Sequence, residues 1–243
     1  MEQKSNKTIV LECYRKIIRD LDFSLVDTYI SDNYIQHSPT VKDGKAGLLQ
    51  MLGFLKTLPQ PAGHGPSPII RTIAQGDLVA VHLDVKFMNQ QVALVDIFRV
   101  TDGKIAEHWD VGQVLTGDDS GDITMTNGAT VINELADAEK SKALITTFFT
   151  GVLEEGNAAV DYVSGDFIEH DISNGLSTLA GGKTVLHQLI AEGDFVVAHC
   201  EVKKANSSFA KIDIFRVAAN KIAEHWSVTQ AVPGLMAHGN GMF

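Results

Sequence analysis

The sequence predicts an α+β fold built from two copies of one domain. Residues 95–113 read VDIFRVTDGKIAEHWDVGQ, and residues 212–230 read IDIFRVAANKIAEHWSVTQ. The blocks IAQGDLVAVHLDVK (73–86) and IAEGDFVVAHCEVK (190–203) match at the same offset of 117 positions. Segments that recur in the same order over half a chain indicate an internal repeat. In each copy helical patterns precede a run of strand patterns, which favours α+β over a βαβ alternation.

Length and composition fit two globular domains. A chain of 243 residues suits two domains of about 120 residues each, and we set their boundaries at 1–128 and 129–243. Hydrophobic residues make up 44% of the chain and charged residues 21%, as in ordinary globular proteins. The formal net charge of −10 argues against nucleic acid and anionic membranes as partners, because phosphate groups are bound mainly by Lys and Arg.

The sequence favours a cytoplasmic protein. No apolar run is long enough for a transmembrane helix, and the start of the chain is too charged for a signal peptide. The only cysteines, Cys13 and Cys200, have no cysteine at the matching position of the other copy. A disulfide framework is therefore not expected, which suits a reducing compartment.

Each copy is predicted to begin with a helix. Apolar residues recur at helical spacing at Val10, Tyr14, Ile17 and Leu21, and again over 144–152. Two further elements are predicted in each copy: a short helical piece (24–30 and 157–163) and a short extended segment (34–37 and 167–170).

The two copies differ in the middle. The first has DGKAGLLQMLGFLKTLP, which predicts a helix of about four turns ended by Pro59. The second has only SNGLSTLAGGKT there, so we predict that it has lost this helix. Three strands then complete each copy, and the Gly-, Thr- and Asp-rich residues 116–133 are interpreted as the linker.

The last hairpin decides which polar side chains meet, because a shift of one residue reverses every side chain. Gly103 corresponds to Asn220, and both residue types tolerate positive φ. This favours a three-residue loop with a bulge, in which Val100 faces Lys104. Five side chains then share one face: Asp96, Phe98, Ala106, His108 and Asp110. A two-residue loop, the alternative, would bring Asp96 beside Trp109.

Polar residues are expected to gather on this face of the first copy. His82 is predicted to join it from the preceding strand, and His37 from the extended segment. Asp110 corresponds to Ser227, so only the first copy can keep an activity that depends on a carboxylate. A metal bound by His37, His82, His108 and Asp110 is a rival interpretation, but no HxH or HExxH spacing supports it. We predict no metal and no cofactor.

The blocks YIQHSPTVKDG, IAQGDLVAVH and VDIFRVTDGKIAEHWDV, with the terminal GNGMF, resemble SnoaL-like proteins of the NTF2-like superfamily. The particular branch that it resembles is described as predicted aldol-condensation enzymes. The resemblance implies two NTF2-like (cystatin-like) cones, in which helices pack on a curved antiparallel sheet around an apolar pocket. In polyketide cyclases of this family an Asp in the pocket is the acid/base of an aldol condensation without metal or cofactor. Asp110 matches that position.

The resemblance also implies an interface, because such domains commonly dimerise through the outer face of the sheet. The second copy can then supply the partner within the chain, as an intramolecular pseudo-dimer; further self-association is left open. Arg99, Glu107 and Trp109, together with their counterparts in the second copy, would lie on this face. Ordinary cross-strand pairing on a solvated sheet is the alternative.

We therefore expect a cofactor-independent cyclase or aldol-type enzyme that acts on a small hydrophobic carbonyl compound. The expected catalytic residues are Asp110, His108 and His82. The expected substrate contacts are His37, Asp96, Phe98, Gln36 and Gln113. Two alternatives stay open: a non-catalytic protein that binds a hydrophobic ligand, and an isomerase or dehydratase that uses the same base. His225 and His199 persist in the copy without the Asp. Their persistence favours a structural role for the matching His108 and His82 at least as strongly as a catalytic one.

Overall fold

The computed structural model describes residues 4–59, 66–115, 123–153, 155–171, 173, 175–176 and 183–243. The first repeat contains α1 (Asn6–Cys13), a π-helical continuation (Tyr14–Arg19), α2 (Val26–Tyr29), β1 (Ile30–Gln36), α3 (Gly44–Thr57), β2 (Ile69–Gln75), β3 (Leu78–Phe87), β4 (Gln90–Thr101) and β5 (Lys104–Val114). The second contains α4 (Ala138–Leu153), β6 (Val163–Glu169), β7 (Lys183–Glu192), β8 (Phe195–Lys204), β9 (Ser207–Ala218) and β10 (Lys221–Ala231).

Each repeat forms one five-stranded sheet. The strand orders are β1-β5-β4-β3-β2 and β6-β10-β9-β8-β7, so the two topologies are the same. The pairs β1–β5 and β6–β10 are parallel, and the others are antiparallel. The α+β class and the duplication are confirmed. The observed sheet has one strand more than predicted, because β2 and β7, before the Gly-Asp turns, are strands of their own.

The described residues of the second repeat contain no counterpart of α3. In the first repeat α3 lies between β1 and β2, whereas residues 170–182 alone connect β6 to β7. A helix of four turns and its two connections need more residues than that. Residues 172, 174 and 177–182 of this connection lie outside the described residues, so the loss of the helix stays a prediction, which the short spacing supports. The described part of the predicted linker, residues 123–133, contains neither helix nor strand, and residues 116–122 lie outside the described residues.

In the last hairpin the predicted side chains share one face, but the turn is not the predicted one. Asp102 and Gly103 both have positive φ, 52° and 75°, which makes a two-residue turn of type I′, with Thr101 opposite Lys104. The predicted loop with Val100 opposite Lys104 is therefore wrong. A register shift follows at once, because Ala106 is an extra residue in β5 and forms a bulge. The bulge restores the face that a two-residue turn alone would have reversed.

The two faces of each sheet have different partners. Helices cover one face of each sheet and form separate cores, for example around Leu52 in the first repeat and Phe148 in the second. The opposite faces pack against each other in one cluster that includes Trp109 and Trp226, exposed by 3% and 0%. Both repeats use the same surface patch for this contact, as the two subunits of a twofold-symmetric dimer do, but here they belong to one chain. The predicted pseudo-dimer is confirmed.

Candidate active site

A cavity of about 870 Å³ lies between the helices and the sheet of the first repeat. This volume is in the range of sites for drug-sized ligands. Aliphatic and aromatic side chains form most of its wall, among them Ile17, Leu48, Met51, Leu83 and Leu94. Six polar residues of the wall are linked by contacts with one another: Tyr14, Gln36, Ser38, Asp96, His108 and Asp110. Other polar residues also line the cavity: Tyr34, Thr40, Lys42, Gln50 and Lys86.

Strands β4 and β5 bring the central polar residues together. Asp96 lies directly opposite Asp110, and Phe98 lies directly opposite His108. Directly opposed side chains of an antiparallel pair point to the same face. The Phe98 and His108 rings stack with centroids 4.7 Å apart. The structure thus unites Asp96, Phe98, His108 and Asp110 as predicted, here at the wall of one cavity.

Tyr14 completes this group and was not predicted as a site residue. Its hydroxyl donates to Asp96 Oδ2, and its ring meets Phe98 edge to face at 5.7 Å. Tyr14 begins the π-helical segment that follows α1; such widened turns occur frequently at functional sites. In the sequence Tyr14 is one more member of an apolar helical stripe. Its polar hydroxyl in that stripe is the one signal of another role.

Gln36 fixes one nitrogen of His108. The Gln36 amide Nε2 donates to Tyr34 Oη at 2.9 Å, and its Oε1 accepts from the Ser38 backbone N at 2.8 Å. The same Oε1 lies 3.0 Å from His108 Nδ1, which therefore carries the proton of this bond. The predicted place of Gln36 at the pocket agrees with the structure.

The other nitrogen of His108 faces the carboxylates. Nε2 lies 3.4 Å from Asp96 Oδ1, a distance that suits an ion pair better than a strong hydrogen bond. Burial lowers the pKa of His108, but the interaction with Asp96 and the charge of Asp110 outweigh it, so the pKa is raised above its ordinary value. The cationic form is thereby favoured next to two carboxyl groups.

The surroundings of Asp110 favour the protonated form of its carboxyl group. Burial raises the pKa of its carboxyl above the ordinary value, and the charge of Asp96 adds to the rise. The charge of His108 and a hydrogen bond from Ser38 act in the opposite direction but do not cancel it. A carboxylate with a raised pKa binds a proton more readily near neutral pH than a solvated one.

Asp96, His108 and Asp110 also offer one ligand atom each within 4.8 Å of one another, a spacing that could hold a metal ion. This trio is not the set considered from the sequence. His37 and His82 lie on the other face of the sheet, so a site of His37, His82, His108 and Asp110 does not form.

The placement of His82 in the pocket is wrong. His82 lies opposite Val95, which belongs to the cluster between the two sheets. Its Nδ1 is 2.7 Å from Arg71 Nη1, and burial together with the Arg71 charge holds its pKa well below the ordinary value. Neighbouring Val81 and Leu83 face the helices instead. His82 is a neutral interface residue, separated from the cavity by the sheet itself.

His37 and Gln113 also belong to the interface and not to the pocket. The His37 ring stacks on Trp109 at 4.8 Å, and its Nε2 lies 2.9 Å from Glu107 Oε1. Gln113 Oε1 accepts a hydrogen bond from the Thr229 backbone N of the other repeat at 2.8 Å. Both residues stand on the sheet face opposite the cavity, which explains why the prediction of substrate contacts does not hold.

In the second repeat the equivalent interior is a closed ionic network. Asp213 and His225 replace Asp96 and His108, and Lys211 stands at the position of Leu94. Lys211 Nζ lies 2.8 Å from Asp213 Oδ1, and His225 bridges Asp213 and Glu169 at 2.9 and 2.8 Å. All three central side chains are nearly inaccessible to solvent. The groups pair by charge, but Lys211 Nζ and Asp213 Oδ2 are buried without a hydrogen-bond partner of good geometry among the described residues.

Residues 8–117 match the family model described as SnoaL-like polyketide cyclase. No curated protein matches the chain significantly. Among solved structures, IdmH from Streptomyces antibioticus, a candidate polyketide cyclase, is 17% identical; the alignment covers 45% of this chain and 92% of IdmH with a TM-score of 0.37.

Two further solved structures with similarity to this chain are described as other kinds of protein. An NTF2-like protein of unknown function from Mesorhizobium loti is 15% identical over 38% of this chain and 93% of its own, with a TM-score of 0.33. An LEH-like epoxide hydrolase from M. tuberculosis is 13% identical over 38% of this chain and 84% of its own, with a TM-score of 0.33. None of the described helices is long and apolar enough to cross a membrane.

Proposed function

We propose that the first repeat, whose residues 8–117 match the SnoaL-like polyketide cyclase model, is an acid/base enzyme for an apolar carbonyl compound. The reaction class is a cofactor-independent cyclisation of the aldol type. One observation carries the proposal: a half-buried carboxyl group with a raised pKa, Asp110, lines a mostly apolar cavity beside an imidazole whose pKa is also raised.

Asp110 is the proposed base. In its ionised form it removes a proton from the carbon next to the substrate carbonyl, so the C–H bond breaks and an enolate forms. The enolate carbon then attacks a second carbonyl carbon, a C–C bond forms, and the new alkoxide takes a proton. Asp110, now protonated, can supply that proton, which restores the carboxylate. General acid–base catalysis of this kind contributes roughly 10²- to 10⁴-fold in rate.

His108 is the proposed donor to the developing oxyanion. The His108 Nε2 has no strong hydrogen bond within the described part of the chain, so a substrate oxygen can take the N–H. Tyr14, which stands in the cavity wall, donates its single hydroxyl proton to Asp96 and so holds that carboxylate in place. Asp96 in turn positions His108 and favours its charged form. Fixed donors that meet a developing negative charge in an apolar site stabilise a transition state strongly.

The cavity supports the substrate class. Most of its wall is apolar, so hydrophobic contact provides binding and the polar group around Asp110 provides orientation. Phe98 stacks on His108 and offers a flat face to an unsaturated ring. A hydrophobic compound with two carbonyl groups in reach of each other fits these features.

The test replaces Asp110 with Asn, which keeps the shape and removes the base. The probe is 5-nitrobenzisoxazole, an apolar compound that opens to a coloured phenolate when a base removes its ring proton. After subtraction of the uncatalysed background, we expect the rate of Asp110→Asn to be at least 100-fold lower than that of the parent. Nile red should still bind in the cavity. Asp102→Asn, the same change in an exposed turn, is the matched control and should leave the rate unaltered.

The binding alternative predicts another result. If the parent protein binds Nile red but removes no proton from 5-nitrobenzisoxazole, or if Asp110→Asn works as well as the parent, the enzyme proposal fails. The protein is then a non-catalytic carrier of a hydrophobic ligand. An isomerase or dehydratase would share the loss of activity in Asp110→Asn and would be separated by its product with dicarbonyl substrates.

A further inference from the structure

The C-terminal segment of the second repeat reaches the first repeat beside the cavity. The Ala237 backbone N donates to Pro39 O at 2.8 Å, and Asn240 Nδ2 donates to Gln36 O at 3.0 Å. Gly241 O lies 3.0 Å from His37 Nδ1. With the contact of His238 described next, residues 36–39 are each held by a residue of this segment.

The hydrogen bonds of His238 define its tautomer. Its Nδ1 accepts from the Asn240 backbone N at 3.2 Å. The proton of a neutral ring is then on Nε2, which lies 2.8 Å from Ser38 O and donates to it. The backbone of Ser38 is thereby fixed by a side chain that comes from the other repeat.

The held segment is part of the proposed catalytic group. Gln36 contacts His108 through its side chain at 3.0 Å, and Ser38 hydrogen-bonds Asp110. Ala237 itself stands in the cavity wall. The C-terminal segment therefore adjoins the cavity both directly, through Ala237, and indirectly, through residues 36–38.

The linker makes the same exchange in the opposite direction. Thr124 O lies 2.9 Å from His170 Nδ1, as Gly241 O does from His37, the counterpart of His170. The Ala129 backbone N donates to Glu224 Oε2 at 3.1 Å. The dipeptide Asn-Gly occurs both in the linker and in the C-terminal segment. Its glycines, Gly128 and Gly241, have positive φ angles of 87° and 76°. Each repeat thus sends its last segment across to the other repeat.

We infer that residues 237–241 are a functional part of the first repeat's site: Ala237 limits the cavity and His238 is a positioning residue for the Gln36–Ser38 segment. The second repeat, which has lost the acidic residue, thus contributes to the site of the first repeat in the same chain. This inference rests on the proposed function only for the catalytic consequence; the limit that Ala237 sets on the cavity does not depend on it.

Ala237 is tested by binding. Ala237→Phe adds a ring at the cavity wall, and we expect the affinity for Nile red to fall at least tenfold. Leu235→Phe is the matched control, because Leu235 is 89% exposed and two residues away. Unfolding midpoints of both variants should equal that of the parent. If Ala237→Phe keeps the parent's affinity and stoichiometry, the residue does not limit the cavity and the inference is overturned.

His238 is tested by rescue. His238→Ala should lower the rate with 5-nitrobenzisoxazole at least fivefold, while His238→Gln, whose amide can still donate to Ser38 O, should recover most of it. A residue that is only structural would change the unfolding midpoint in both variants and leave the rate of the folded protein intact. Equal rates in parent, Ala and Gln variants would overturn the positioning role.

The two proposals fail in different ways. Binding of Nile red does not require turnover, so the Ala237 test can also be run on the Asp110→Asn protein. If Asp110→Asn keeps its rate, the proposed function fails and the binding result still decides the role of Ala237. If Asp110→Asn loses its rate but the Ala237 and His238 variants behave like the parent, this inference alone fails.

Discussion

Gln113 and Gln230 make the same hydrogen bond in opposite directions across the interface between the repeats. Gln113 Oε1 accepts from the Thr229 backbone N at 2.8 Å, and Gln230 Oε1 accepts from the Gly112 backbone N at 3.1 Å. Gln113 and Gln230 occupy the same position in the two copies. The reciprocity shows that a near-twofold relation extends to single hydrogen bonds.

Removal of either glutamine should destabilise the protein by a similar amount. Gln113→Ala and Gln230→Ala each leave a partly buried backbone N–H of the other repeat without its acceptor, at a cost of about 1–3 kcal/mol. Urea unfolding measures the change in the free energy of unfolding. Gln90→Ala on the exposed β3–β4 hairpin is the control with little expected change. Equal stabilities of all three variants would contradict the pseudo-twofold interpretation.

Asp96→Asn should lower the pKa of His108. The carboxylate of Asp96 stabilises the imidazolium by charge and contact, and the amide keeps the shape without the charge. NMR titration of the ¹⁵N-labelled imidazole measures the midpoint. Asp84→Asn on neighbouring β3 supplies the control, with no shift of His108. An unchanged midpoint in Asp96→Asn would mean that another group holds the His108 proton.

Asp110 should make stability depend on pH. Its folded pKa is raised above the ordinary value of 3.8, so its contribution is fully present below that pH and is lost as the pH rises through the folded pKa. Asp110→Asn removes this loss. We expect the variant to gain stability relative to the parent between pH 4 and neutral pH, measured by urea unfolding. A difference that stays constant over this range would show that the carboxyl is not desolvated.

Lys211→Met should destabilise the second repeat strongly. The side chain pairs with Asp213 in the interior, and removal of one partner of a buried ion pair costs about 3–5 kcal/mol. Leu94→Met introduces the same residue at the equivalent position of the first repeat. It should lower the free energy of unfolding by less than about 1.5 kcal/mol. Thermal or urea unfolding compares the two. Similar costs would indicate that solvent reaches the Lys211 network.

A chelator should leave proton removal by the first repeat unchanged. The raised pKa of Asp110 favours its protonated form, which binds metal ions poorly, and Asp96 already accepts from Tyr14. Dialysis against EDTA followed by the 5-nitrobenzisoxazole assay measures this. A rate that falls with EDTA and returns with added Zn²⁺ would assign Asp96, His108 and Asp110 as metal ligands instead.

The face of the β4–β5 hairpin was predictable, although its turn was not. Two different loops and one bulge lead to the same alternation of side chains, so Asp96, His108 and Asp110 share a face in either case. The exact pairing differs: Asp96 lies opposite Asp110, which brings the two carboxyl groups closer than the predicted register. A bulge at Ala106 has no distinct signal in the residue types of the strand.

His82 could not be assigned to a face from its own strand. In β3, residues 79–83 are all buried, because helices cover one side of the sheet and the other repeat covers the second. Strands buried on both faces lose the alternation of polar and apolar residues that indicates direction. For His37, the register shift in β1 between Ile30 and Ile35 has the same effect.

The sequence alone determined the duplication, the α+β class and the difference between Asp110 and Ser227, and it predicts the loss of one helix. These features depend on the order and spacing of residues along the chain. The tertiary structure decided which histidines reach the cavity, that Tyr14 joins them, and that the last residues of one repeat close against the other. Such contacts join segments far apart in sequence, and packing on both sides of a sheet selects them.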